Sequence, residues 1–242
     1  MGKKQKHCDP GNPADAHRGD NWDHVAFDPE HRLVVSVVPG KRSAANVEAV
    51  VQDFHCRTGG QPMNLITTDE YAPYTPAILK TYGQQIVPPR TGRPGRPAGP
   101  RWVAPPSLHY ATVHKTREKG RVVNVETRVI FGTAETVQAA LNASAVSRRV
   151  NTAFVERHNG TDRNRNGRKI RKTYGFSKDW DVHEAVTYYT MFSYNFCWPV
   201  RTLRVKTEDD TWRRRTPAMA AGLADHVWSL SEWLTLPAVH QK

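Results

Sequence analysis

Cysteine is scarce in this chain, and long apolar runs are missing. Only three cysteines occur in 242 residues, Cys8, Cys56 and Cys197. None forms a C-x-x-C pair, which argues against a disulfide framework and against a zinc knuckle. Ordinary reduced thiols are expected. The strongest apolar run, LVVSVV at 33 to 38, has the length of a strand and not of a membrane span. The amino terminus, MGKKQKHCDPGNPADAH, is basic but has no apolar stretch, and MGKKQK lacks the Ser or Thr of a myristoylation signal. A cytoplasmic protein with no membrane partner is the expectation.

Acidic residues are also under-supplied. Against 35 Lys and Arg stand 23 Asp and Glu, a formal net charge of +12 and a pI near 9.8. Such an excess points to a polyanionic partner, nucleic acid first. Eleven histidines suggest metal chemistry, yet no H-x-x-x-H or Cys/His cluster has ligand spacing. His24, His109, His114 and His183 are therefore read as surface or satisfied core histidines. The remaining 38% of apolar residues is enough for a core.

The order of local patterns is strand, strand, helix, strand, helix, which predicts an α/β fold with a mixed sheet. Residues 20–28 and 33–40 flank the turn PEHR and read as a hairpin. Ser43 caps a helix with Val47, Val50, Val51 and Phe54 on one face, ended by Gly59-Gly60. MNLITTDE (63–70) reads as a short buried strand, and YTPAILKTYG (74–83) as a brief helix with Pro76 in its first turn. Residues 87–106, rich in Pro, Gly and Arg, read as an extended connector, and 109–132 as a basic hairpin around Lys119-Gly120. Most of 133–159 reads as helical. The clearest helix is 177–198, where Trp180, Val182, Val186, Tyr189, Phe192 and Phe196 form a stripe expected to be core.

One acid stands out in NTAFVERHNGTDRNRNGRKIRK (151–172), because Glu156 precedes a segment crowded with cations. On a helix its face carries Asn159, Gly160 and Arg163. Asp69 ends a predicted strand, the position from which open α/β sheets project side chains into their sites. Two such carboxylates suit a hard cation, since Mg²⁺ is usually held by one or two carboxylates together with phosphate oxygens. The surrounding cations suit a phosphodiester substrate. Trp212 in DDTWRRRTP could stack on a base, though core packing or a loop anchor is the plainer reading.

These stretches also carry a resemblance. TTDEYAPY, NTAFVERHNGTDR and YGFSKDWDVHEAVTYYTMFSYNF resemble transposases of the insertion-sequence-one family, and DHVAFDPEHRLVVSVVPGKRS is similar to their second and third strands. The resemblance implies an RNase H-like mixed sheet flanked by helices and an Asp, Asp, Glu triad. In it Asp69 is the second acid and Glu156 the third, both catalytic and both metal-binding. It implies two Mg²⁺ (or Mn²⁺) ions, in-line attack on a phosphodiester and strand transfer. The partners would be element ends and target DNA, with a homo-oligomer at synapsis and a nucleoid-associated location. Phosphate contacts are expected from Arg157, Asn159, Arg163, Arg165, Arg168, Lys169, Arg171 and Lys172.

Two departures accompany the resemblance. The first acid of such enzymes lies upstream of a Lys-rich turn that MGKKQKHCD resembles, so the chain is expected to begin after it, with Asp20, Asp23 and Asp28 as the only nearby substitutes and with weak or absent cleavage through the loss of one metal ligand. Asp28 is read as a turn residue rather than a ligand. The interval from 69 to 156, 87 residues, is long for the family, and the connector and basic hairpin are taken as an insertion that accounts for it. The expected layout is thus 1–86 for the first part of the catalytic domain, 87–132 for the insertion, 133–206 for the glutamate helix and following helix, and 207–242 for a tail.

Three readings follow from the residues: a DNA transposase, a basic DNA-binding remnant without chemistry, and an RNase H-like nuclease acting on RNA:DNA hybrids. All bind polyanions through charge. Duplex-DNA affinity should fall with salt at a log-log slope near about −5 if roughly six phosphates are neutralised. Titrations at several salt concentrations check this, and salt-insensitive binding would remove the electrostatic premise.

Overall fold

A computed structural model describes residues 3–88, 99–170 and 174–236. Among these the protein is a mixed α/β structure. In chain order the strands are β1 (Trp22–Asp28), β2 (Leu33–Gly40), β3 (Ile66–Asp69), β4 (Gln84–Ile86), β5 (Arg101–Val103), β6 (Tyr110–Glu118), β7 (Arg121–Phe131), β8 (Val205–Lys206) and β9 (Trp212–Arg213). The helices are α1 (Ala44–Arg57), α2 (Tyr74–Tyr82), α3 (Ala134–Ala143), α4 (Ala153–Arg165), α5 (Trp180–Cys197), α6 (Pro217–Ala220) and α7 (Leu230–Thr235). The chain divides into two compact units, one of Met1–Lys41 with Phe154–Lys242 and one of Arg42–Ala153. No described helix is long and apolar enough to cross a membrane.

The first unit is built on the hairpin β1-β2, which pairs antiparallel from Trp22 opposite Gly40 to Asp28 opposite Leu33, with an irregularity at Ala26/Phe27. The carboxylate of Asp28 closes the turn, because its Oδ1 accepts from the N–H groups of Glu30 (2.8 Å) and His31 (3.4 Å). Val34 and Val37 of β2 pack with Met191 and Tyr194 of α5, bordered by Val25, Phe27, Phe192 and Val200. Asp179 caps α5 by accepting from the N–H of Val182 at 2.9 Å.

Helix α5 keeps only part of the expected core stripe, with Phe192 against the core and Phe196 packed on Trp228. Its buried residues are Thr187, Thr190, Met191, Ser193, Tyr194 and Asn195, while Val182 and Tyr189 are exposed. The buried face keeps helical spacing but is largely polar. It can be buried because its polar groups find partners: Thr187 donates to the carbonyl of His183 (2.8 Å) and Thr190 to that of Val186 (2.9 Å). Asn195 goes further and clamps a strand. Its Oδ1 accepts from the N–H of Val34 (3.0 Å) and its Nδ2 donates to the carbonyl of Val34 (2.8 Å).

The segment after 206 is not an appended tail, since α5 packs on both α6 and α7. The rings of Trp228 and Phe196 lie 4.6 Å apart, and Trp233 meets Tyr189 edge-on at 5.5 Å.

The second unit holds a three-stranded sheet in the order β3-β6-β7, with β3 parallel to β6 and β6 antiparallel to β7. The hairpin expected as an insertion therefore supplies the partner of the Asp69 strand. Tyr110, Ala111 and Val113 of β6 are buried, as an apolar YATV start permits. The β6-β7 turn contains Lys119 (φ 47°) and Gly120 (φ 80°), the paired positive values that a two-residue hairpin loop demands. Ala111, Val113, Val137, Leu141 and Val150 form a core cluster with Leu65 against it. Helix α1, capped by Ser43, packs on α2.

Two further expectations change. Most of 133–159 is helical as expected, but in two pieces, α3 and α4, because Ser144, Ser147 and Asn151 bond nearby backbone in competition with the helix ladder. Of the expected connector, Arg101–Val103 is a strand paired with β4, and 89–98 lies outside the described residues.

The Asn195 clamp makes a direct prediction. Asn195→Ala leaves both polar groups of a buried strand residue without their partners, so it should cost roughly 2 to 5 kcal/mol. Urea unfolding measures this, and an unchanged midpoint would show that the clamp contributes nothing.

Candidate functional site

Asp69 ends β3 as its sequence position suggests. The side chain is 58% exposed, its Oδ1 accepts from the N–H of Tyr71 (3.3 Å), and Arg42 Nη2 stands 3.7 Å from its Oδ2. Arg42 is itself held in place, with its guanidinium 4.2 Å from the centre of the Tyr71 ring and its carbonyl accepting from the Tyr71 hydroxyl at 2.9 Å. The strand beneath is fixed by a 2.7 Å bond between Thr68 Oγ1 and the Tyr110 hydroxyl. Burial, with the Asp69 charge adding to it, pushes the Tyr74 phenol up to about 12. The adjacent Glu70 is committed elsewhere, to Arg128 (2.8 Å) and to His114.

Glu156 lies in the first turn of α4 and is exposed, as is Arg157. A carboxylate there is favoured by the helix dipole. The residue that follows Glu156 and Arg157 turns inward. His158 is buried, stacked on Phe27 at 5.0 Å and edge-on to Tyr194 at 4.7 Å, with Nε2 3.2 Å from the sulfur of Met191. Its Nδ1 has no hydrogen-bond partner among the described residues. Burial pushes this imidazole down to about 4, outweighing the carboxylate of Asp162, while Arg165 and Lys169 push the same way as burial. His158 is a neutral core residue.

The expected phosphate-binding cations separate into three groups. Arg157 and Arg168 are exposed, and Asn159 and Arg163 are half-buried. Arg165 and Lys169 have protein partners instead. The guanidinium of Arg165 lies 4.3 Å from the Trp198 ring and 5.8 Å from that of Tyr194. The ammonium of Lys169, with its side chain only 7% exposed, sits 2.8 Å from Asp162 and 3.0 Å from Asp23. Lys169 offsets buried carboxylates, and a role at DNA would break that cluster. Arg171 and Lys172 lie outside the described residues.

No family model, curated protein or solved structure matches the chain. Its chemistry is accordingly read from its own side chains.

Among the described residues, no group of three or more His, Cys, Asp or Glu converges as a metal cage. Asp69 and Glu156 nonetheless have the right donor chemistry for a hard divalent cation, each being an exposed carboxylate. They belong to different units, Asp69 to the second and Glu156 to the first. The histidines singled out earlier have protein partners: His24 faces the carbonyl of Val38 (3.2 Å), His109 that of Asn64 (3.0 Å), His114 the carboxylate of Glu70, and His183 the hydroxyl of Ser177 (3.1 Å). Trp212 is exposed and covered by Arg204, 4.1 Å from its ring centre.

The residues that sequence reasoning missed are Asp162 and Thr190, whose hydroxyl shares its one proton between the Val186 carbonyl and Asp162 Oδ1, 3.0 Å away. The Asp162 to Lys169 spacing was a local hint. The pairing with Asp23 had none.

A histidine held neutral by burial links stability to pH. Because its folded value is about 4 against 6.5 when free, the unfolded chain takes up the proton first as the pH falls. The contribution of His158 is complete above about pH 6.5 and is lost as the pH falls to about 4, a decline of roughly 3 kcal/mol. His183, also lowered by burial, acts with the same sign. Urea unfolding from pH 7 to pH 4 should show the fall, and His158→Phe should flatten most of it. An unaltered slope in that variant would contradict the assignment.

Proposed function

We propose that this chain is the catalytic part of a DNA transposase with an RNase H-like fold, in which Asp69 and Glu156 are the metal-holding acids. The observation that carries this reading is the setting of Asp69. It is an exposed carboxylate at the carboxyl end of a strand parallel to its neighbour, where open α/β sheets place their ligands. Support also comes from the exposed Glu156 in a first helical turn and from the net charge of +12. The chain order of hairpin, helix and strand agrees with an RNase H-like domain, although here the hairpin β1-β2 and the strand β3 lie in separate sheets and the parallel partner of β3 is β6.

Two Mg²⁺ or Mn²⁺ ions are the expected cofactors, and when bound they would polarise the phosphodiester and make water a better nucleophile. The protein's own part is positional. The N–H of Tyr71 holds one oxygen of Asp69, and the Tyr71 ring holds Arg42 beside it, a cation placed to meet a phosphate oxygen. Arg157, Arg168, Asn159 and Arg163 would carry the strand backbone, a role that fixes DNA without reading its sequence. Lys169 and Arg165 would act from within, by holding α4 and the turn after it in place.

The test is nicking and joining of supercoiled plasmid by the chain in Mg²⁺ or Mn²⁺. Asp69→Asn and Glu156→Gln should each lower activity about 100-fold or more, the scale of losing one positioned catalytic group, with duplex affinity little changed. Equal activity in either variant sinks the proposal. Salt-dependent binding by a chain that never cuts would instead favour the non-catalytic DNA-binding reading.

A further inference from the structure

The part of the apolar stripe of α5 that does not enter the core lines something else. Val182 and Tyr189 border an open groove of about 940 Å³ in the first unit, between the turn that follows α4 and the first turns of α5. Its other principal walls are Asn166, Arg168, Tyr174, Phe176 and Lys178. Three exposed aromatic rings therefore share one groove with exposed cations, and Tyr174 is 97% exposed. Large aromatic side chains are rarely left in water without a use when they stand together.

The charge of the groove is one-sided. Arg165, Arg168 and Lys178 line it against the single carboxylate of Asp179, which is committed to the N–H of Val182. Rings at the rim call for a ligand that brings a flat face, and cations for one that brings negative charge.

We infer that this groove receives an unpaired nucleotide of a DNA strand, with its base on the Tyr174, Phe176 and Tyr189 rings and its phosphate against Arg168 and Lys178. Only an unpaired base fits these features together, because within a duplex both faces of every base are already stacked. Stacking on aromatic rings above a cationic track is the general solution for single strands, and the groove is within the size range of sites for small organic groups. The inference rests on the reading of the chain as a DNA-acting protein. It adds that this protein grips DNA where the helix is opened.

Fluorescence anisotropy tests it with three labelled DNAs: a fully paired duplex, the same duplex with one extra thymidine bulged from its centre, and the same bulge made abasic. The bulged duplex should bind about 5- to 150-fold more tightly than the paired one, the span that corresponds to stacking one base, and the abasic bulge should lose that gain. Tyr174→Ala should bring the ratio of bulged to paired affinity close to one while paired-duplex affinity stays as it was. Tyr174 is almost wholly exposed, so its truncation leaves the core untouched. Phe176→Ala should act in the same direction.

Equal affinity for bulged and paired duplex, or a ratio unchanged in Tyr174→Ala, overturns the inference. Thymidine monophosphate that abolishes the bulge advantage at the concentration of the DNA itself would assign the groove to free nucleotides. Poly-glutamate doing the same would reduce it to a general anion surface. Both results would refute the placement of a strand. Failure to bind paired duplex at all would count against the function proposed above, whereas a flat ratio with intact duplex binding would count only against this groove.

Discussion

A buried ammonium holds the first unit in register. Lys169 reaches Asp162 on α4 and Asp23 on β1, and Asp162 is met from the other side by the hydroxyl of Thr190 on α5. One cation thus ties three elements through groups that are costly to bury alone. Losing a single member of such a cluster strands a charge in the interior, at a cost of about 3 to 5 kcal/mol. The arrangement also decides the rotation of α4. With His158, Asp162 and the Arg165-Asn166 end of the helix turned inward at spacings of four and three or four residues, Glu156 and Arg157 fall on the outer surface.

The same logic explains why a strongly basic chain does not present all of its cations. Some are internal structural partners: Lys169 in the ion cluster, Arg165 over Trp198, and Arg32 over Phe154 at 4.2 Å. The exposed Arg157, Arg168 and Lys178 are among those that remain open to an external anion. In the second unit the corresponding economy of acids is visible at the end of β3. Glu70 is taken up by Arg128 and His114, and Asp69, one residue earlier, projects with a single backbone N–H and a distant guanidinium beside it. A carboxylate kept exposed between committed neighbours is well placed to take a cation from solution.

Features governed by near neighbours were legible in the sequence. The PEHR turn needed only Asp28 to accept the N–H groups two and three residues on, and the Lys119-Gly120 turn needed only two residues at positive φ. Ser43 caps its helix from one position away. Features governed by competition were not legible. The run 133–159 has helical composition, yet Ser144, Ser147 and Asn151 divert its backbone bonds and divide it into α3 and α4. Asp69 and Glu156 could be singled out because each carries a carboxylate beside a recognisable pattern, whereas the groove beside α5 could not, because Tyr189 had been assigned to the core and Tyr174 and Phe176 meet it only through the fold.

The sequence by itself determined the charge of the protein, the hairpin turns, the Ser43 cap and the acid at the end of β3. These depend on residues within a few positions of one another. Only the tertiary structure decided which face of α5 is buried and which cations are internal. Hydrophobicity favoured the stripe of Val182, Val186 and Tyr189, but a buried face is chosen by the partners available to it. Asn195 found the backbone of Val34, 161 residues away, and Thr190 found Asp162, so the polar face went inside and Val182 and Tyr189 were left at the surface. No local pattern encodes such a choice, since the energy of a polar group in the interior depends on what stands across from it.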